Sequence, residues 1–104
     1  MSTDEPGSTL YAITYSDRVQ DVLVRLGRVA QSRGDGERFV DALREFHRRL
    51  CVYPQFGDPL MDLRVSVGQI RLGVVPPLTM RYGVLEERRS VIVVGVPVLL
   101  PRAA

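Results

Sequence analysis

The chain has 104 residues, 45% hydrophobic and 25% charged, with a formal net charge of +2. That is one globular domain's worth of sequence and lies outside the compositional range of disordered chains. A single cysteine, Cys51, excludes an internal disulfide and a cysteine-cluster metal site, and all 14 basic residues are arginine, so no lysine is available as a proton acceptor.

Residues 1–9, MSTDEPGST, show no periodicity and read as a loose, disordered leader to a single domain over residues 10–101. They carry neither the basic start nor the apolar run of a signal peptide, and no later segment reaches the roughly 20 apolar residues of a membrane span. With the lone cysteine, this makes cytoplasmic the expected location, with no membrane partner.

In "LYAITYS", Tyr11, Ile13 and Tyr15 alternate with Leu10, Ala12 and Thr14, the pattern of a short strand. Ser16-Asp17 supplies an N-cap and a first-turn acid. Val19, Val22, Leu23, Leu26, Val29 and Ala30 then recur at helical spacing, with Arg18, Asp21, Arg25 and Arg28 on the other face. Gly34-Asp35-Gly36 ends this helix near Ser32. A second helix is predicted from Glu37 to Val52, with an apolar face of Phe39, Val40, Leu43, Phe46, Leu50 and Cys51. Arg38, Asp41, Arg44, Glu45, Arg48 and Arg49 form its wet face, and His47, the single histidine, lies at the border. Two such helices across a Gly turn make a helical hairpin.

Pro54 stops the second helix, and residues 57–68 read as a connection with an extended piece at Leu63 to Val67. The last third is strand-like. Ile70, Leu72 and Val74 alternate with Gln69, Arg71 and Gly73; after Pro76-Pro77, Met80, Tyr82 and Val84 alternate with Thr79, Arg81 and Gly83. Glu86 to Arg89 is a charged turn. "SVIVVGVPVLL" is apolar on both faces, which places it inside a sheet or an oligomer, with Pro97 at an edge or rim. The predicted fold is α+β, a helical hairpin on an antiparallel sheet in the order β-α-α-β-β-β, the first strand pairing with the last.

"YAITYSDRVQDVLVRL", the hairpin, "YPQFGD" and "IRLGVV…MRYGVLEERRSVIVVGV", in that order, resemble the RelE/ParE superfamily of bacterial toxins from type II toxin–antitoxin systems. The resemblance spans roughly residues 10 to 100. It implies a domain that binds a cognate antitoxin across its sheet and helical hairpin, and either cleaves messenger RNA on the ribosome (RelE-like) or acts on DNA gyrase (ParE-like). The ribonuclease branch carries basic residues on the first strand after the helices, on the next strand, and near the end of the last. Arg71 falls at the first such position. Arg81 faces opposite to Tyr82 and leaves Leu78 or Thr79 at the second. Leu100 or Pro101 occupies the third, with Arg102 one step late.

The catalytic candidates are therefore Arg71, Arg81 and Tyr82, with Glu86 and Glu87 as further proton-transfer groups and His47 read as a boundary side chain. Arg44, Arg48, Arg49, Arg71 and Arg81 are the candidates for binding a partner or nucleic acid. Cys51 reads as a small buried hydrophobe, Tyr11 and Tyr15 as core or sheet-face residues, and no cofactor or metal is expected. The reading that follows is a ParE-like toxin that docks an antitoxin and a cellular target without an intact ribonuclease site. A ribosome-dependent endoribonuclease with a rearranged site and a degenerate, non-toxic homodimer are the alternatives.

Overall fold

A computed structural model describes residues 10–62 and 68–101. Two helices and five strands follow as β1 (Ala12–Tyr15), α1 (Asp17–Ser32), α2 (Gly36–Val52), β2 (Asp58–Asp62), β3 (Gln69–Val75), β4 (Leu78–Leu85) and β5 (Ser90–Leu99). Single 3₁₀ turns sit at Pro54–Phe56 and Glu86–Arg88. The architecture is α+β, with both helices packed on a mostly antiparallel sheet of order β1-β5-β4-β3-β2.

Local chemistry sets the helix ends. Ser16 is extended and its Oγ accepts from the amide of Val19 at 3.1 Å, satisfying one of the free N–H groups of α1. Gly34 turns the chain out of α1 at φ +81°, a conformation that carries no steric penalty without a Cβ. Pro54 then blocks any extension of α2 past Val52. Val19, Val22, Leu23 and Ala30 of α1, and Phe39, Ala42, Phe46 and Leu50 of α2, are buried. Val29 and Val40 were expected on the same apolar stripes but remain 40% and 43% exposed. A helix resting on a sheet buries one stripe, and these two sit on its flank.

β1 pairs in parallel with β5, first strand with last, from Ala12 opposite Ser90 to Tyr15 opposite Val93. The other three pairings are antiparallel. β1 is shorter than β5, so β5 beyond Val93 has only β4 beside it. There β5 bulges: Arg81 pairs with Val94 and Thr79 with Val98, around Gly95 at φ +72°. β2 is an addition to the predicted order. It lies in the stretch read as a connection and forms the far edge of the sheet, with Pro59 and a register shift in it. The extended piece expected at Leu63 to Val67, the leader 1–9 and Arg102 lie outside the described residues.

The core lies between the helices and one sheet face. Leu78, Met80, Tyr82 and Val84 of β4 and Val91 and Val93 of β5 meet Phe46 and Leu50 of α2 there. Phe46 packs edge-on against Phe56 at 5.5 Å and Tyr82 at 6.2 Å between ring centroids. Gly73 makes this aromatic cluster possible, because a Cβ at that position would lie 2.7 Å from Phe46 Cζ and 2.9 Å from Phe56 Cζ.

Candidate functional site

Arg71 and Tyr82 are paired across β3 and β4 and point toward the helices. Both side chains are committed to one turn. Arg71 Nη1 donates to the carbonyls of Gln55 (3.0 Å) and Gly57 (2.6 Å), and Nη2 to Gln69 Oε1 (2.7 Å). The Tyr82 hydroxyl donates to the Pro54 carbonyl at 2.6 Å and accepts from the Gly57 amide at 3.0 Å. Burial pushes this phenol up to about 12, so at neutral pH it remains a protonated strut. The Pro54–Gly57 segment leaves α2 without regular pairing. These two side chains supply the partners that its buried backbone groups need. Three of the five guanidinium N–H groups are used in this way, all on neutral acceptors.

Arg81 is one residue away and on the opposite face, as the alternation rule predicts. Its position is defined by three rows that cross β3, β4 and β5: Ile70–Gly83–Ile92, Leu72–Arg81–Val94 and Val74–Thr79–Val98. No described element covers this face. Val74, Ile92 and Val98 are 45%, 40% and 51% exposed. Arg81 is exposed at its centre, on the central strand, with no hydrogen-bond or ion-pair partner among the described residues. Within the three rows it is the only charged side chain; Asp58 stands at the margin, where β2 meets Leu72. Thr79 Oγ1 is buried and also lacks a partner among the described residues. The result is a largely apolar surface with one unpaired cation in it, the pattern of an interaction face.

The α2 arginines divide. Glu45 accepts from Arg48 Nε (2.9 Å) and Nη2 (2.6 Å) and from Arg49 Nε (2.7 Å). Those bonds, that from Arg48 foremost, hold the Glu45 carboxyl down at about 2. Arg49 also lies over the Phe56 ring, 5.4 Å from its centroid. Arg44 has no partner among the described residues. The basic cluster is therefore one free cation beside two arginines that share a single carboxylate, Glu45.

His47 is exposed, and its Nδ1 is 2.8 Å from the Tyr15 hydroxyl, with the two rings stacked at 5.8 Å. The residues are 32 apart in sequence, and no local pattern marks the pair. Glu86 accepts from Gln55 Nε2 at 3.0 Å, and the same amide reaches the Tyr11 hydroxyl at 3.2 Å. Cys51 is half-buried and free, and its carbonyl accepts from the Tyr11 amide at 2.8 Å. Among the described residues there is no group of three or more His, Cys, Asp or Glu able to hold a metal ion, and no helix long and apolar enough to cross a membrane.

The catalytic candidates do not converge. Arg71 and Tyr82 share a face and serve the backbone, Arg81 projects from the other face, and Glu86 and Glu87 lie on an exposed turn. A docking surface on the sheet, with Arg81 among its residues, was expected from the resemblance; its apolar character was not. Its signals were present, in the apolar trio Ile70, Leu72 and Val74 set against Arg71 and in the doubly apolar β5. No family model, curated protein or solved structure matches the chain.

Proposed function

We propose that this protein is a toxin-like component of a type II toxin–antitoxin pair, one that acts by docking and does not cut RNA. The observation that carries the reading is the uncovered apolar sheet face with Arg81 at its centre. A partner segment on this face buries the three rows and must bring an acceptor to the guanidinium, because a buried cation left unpaired is costly. An amphipathic segment with a carboxylate set in its apolar side meets both demands, and an acidic antitoxin is a protein of that chemistry.

Two features favour docking over cleavage. Arg71, the arginine that best matches the ribonuclease pattern, is engaged with backbone carbonyls. Tyr82, held at about 12 and enclosed, is a poor proton-transfer group near neutral pH. The self-associated scaffold is disfavoured by Arg81 itself, since a two-fold axis through the middle of the face would set two unpaired guanidinium groups against each other.

Controlled expression in a bacterial host tests the proposal. Expression alone is expected to arrest growth, and co-expression with a small acidic protein, if one is encoded beside the chain, to relieve the arrest. Arg81→Glu is expected to abolish both relief and co-elution of the two proteins. Normal growth at high expression would remove the toxin reading. Cleavage of messenger RNA that Arg71→Met eliminates, in a variant that still folds, would replace docking by catalysis. Accumulation of DNA breaks would point to gyrase as the target.

A further inference from the structure

A cleft of about 560 Å³ opens where β1 meets the helical hairpin, lined by Tyr15, Gln20, Leu23, Leu43, Arg44 and His47. Its floor is apolar, made by Leu23 and Leu43. Its polar groups are Tyr15, Gln20, Arg44 and His47. Gln20 Nε2 is occupied by the Tyr15 carbonyl at 3.0 Å, and His47 Nδ1 by the Tyr15 hydroxyl. Burial pushes that hydroxyl up to about 12, so it keeps its proton. When it donates to Nδ1, the neutral imidazole carries its own proton on Nε2, the nitrogen that Tyr15 leaves free. Arg44 and His47 are three residues apart on α2 and so share a face of the helix. Among the described residues no acidic side chain lines the cleft.

The cleft runs into a longer groove between α1 and α2, of about 1190 Å³, which shares Leu23, Leu43 and Arg44 with it. Val24 and Val40 line that groove and are 55% and 43% exposed. The other charges there are mixed, Arg28 being outnumbered by Glu37 and Asp41. The combined surface is thus cationic at the Tyr15 end, apolar along its length and weakly acidic beyond.

From this arrangement we infer a small-molecule site for an aliphatic carboxylate, its head group on Arg44 and His47 and its chain over Leu23 and Leu43 toward Val24 and Val40. The volume suits a ligand of this size, and an apolar floor with a few convergent polar groups is the usual composition of such sites. Charge selects the class. A carboxylate pairs with the free guanidinium and with Nε2–H, a neutral alcohol forgoes the ion pair, and an amine is repelled. The site is separate from the open sheet face, so its failure would leave the docking proposal standing.

Titration of the full chain with octanoate, followed by amide chemical shifts, tests the site. Octanoate is expected to move the signals of Leu23, Leu43, Arg44 and His47 and to bind more tightly than octanol or octylamine. Arg44→Gln should weaken octanoate about tenfold to a hundredfold, the range for a lost charged hydrogen bond, and His47→Gln should weaken it by a smaller factor. Arg25→Gln removes the same charge from an exposed position of α1 and should leave affinity unchanged. Equal binding of octanol and octanoate would overturn the inference. So would octanoate shifts confined to Ile92, Val94 and Val98, or no shifts at millimolar ligand. Arg44 and His47 are exposed, so their variants are expected to fold, and a thermal melt checks this.

Discussion

Arg71 and Arg81 lie ten positions apart on adjacent strands of one sheet, and their surroundings differ in every respect. Arg71 is turned toward the helices, where two backbone carbonyls and Gln69 take up its guanidinium. Arg81 is turned away, between Leu72 and Val94, with no partner among the described residues. The first behaves as part of the scaffold and the second as a surface left for something else. The lesson is that an arginine's role follows from which side of the sheet is covered, and residue type and strand position do not report that side.

The largest effects of substitution are expected on the covered face. Tyr82→Phe leaves the Gly57 amide and the Pro54 carbonyl without partners, and Arg71→Met does the same to the carbonyls of Gln55 and Gly57. Each is expected to cost about 1–3 kcal/mol in urea denaturation. Because both hold one turn, the double variant should lose less than the sum. A Tyr82→Phe protein as stable as the parent would erase the distinction between the two faces.

The open face should respond differently. Arg81→Met and Ile92→Thr are expected to change stability by no more than about 0.5 kcal/mol, since neither disturbs a buried contact or a satisfied polar group. Their effect should appear in association with an acidic partner, read as retention on a sizing column. A large loss of stability in either would mean that this side, too, is packed in the native protein.

The smallest effect concerns the α2 triplet. Glu45 is held at about 2 in the folded chain against an ordinary value of 4.5. A depressed carboxyl stabilises the fold above its unfolded value, and that contribution disappears as pH falls from about 4.5 through 2. Melting temperatures of the parent and of Glu45→Gln should therefore differ most near neutral pH and converge in acid. A constant gap would show that Arg48 and Arg49 do not act through this carboxylate. It would also return them to the pool of free cations with Arg44.

Much of the architecture was legible because periodicity and punctuation agree. The Ser16 cap, the Gly34 break, the Pro54 stop and the 3.6-residue spacing of Val19, Leu23 and Ala30 mark the helices without reference to anything distant. Alternation likewise separated Arg81 from Tyr82. It could not say which side the helices would cover, because Ile70, Leu72 and Val74 are as apolar as Met80, Tyr82 and Val84. Only the packed sheet distinguishes them. β2 escaped notice because residues 57–68 read as a connection, and Asp58–Asp62 becomes a strand only through pairing with β3. The Tyr15–His47 contact and the grip of Arg71 on Gly57 join residues 32 and 14 apart, beyond the reach of any local pattern.

The bulge in β5 has a consequence for the life of this protein in a crowded solution. Beyond Val93 the strand richest in valine runs without β1 at its side, the setting in which chains join edge to edge into insoluble ribbons. Gly95 bends the backbone out of register there, and two residues later Pro97 has no amide hydrogen to lend to an incoming strand. The same ten residues that supply a sticky surface therefore interrupt their own margin, leaving the broad side of the sheet open to a ligand while its border resists self-assembly.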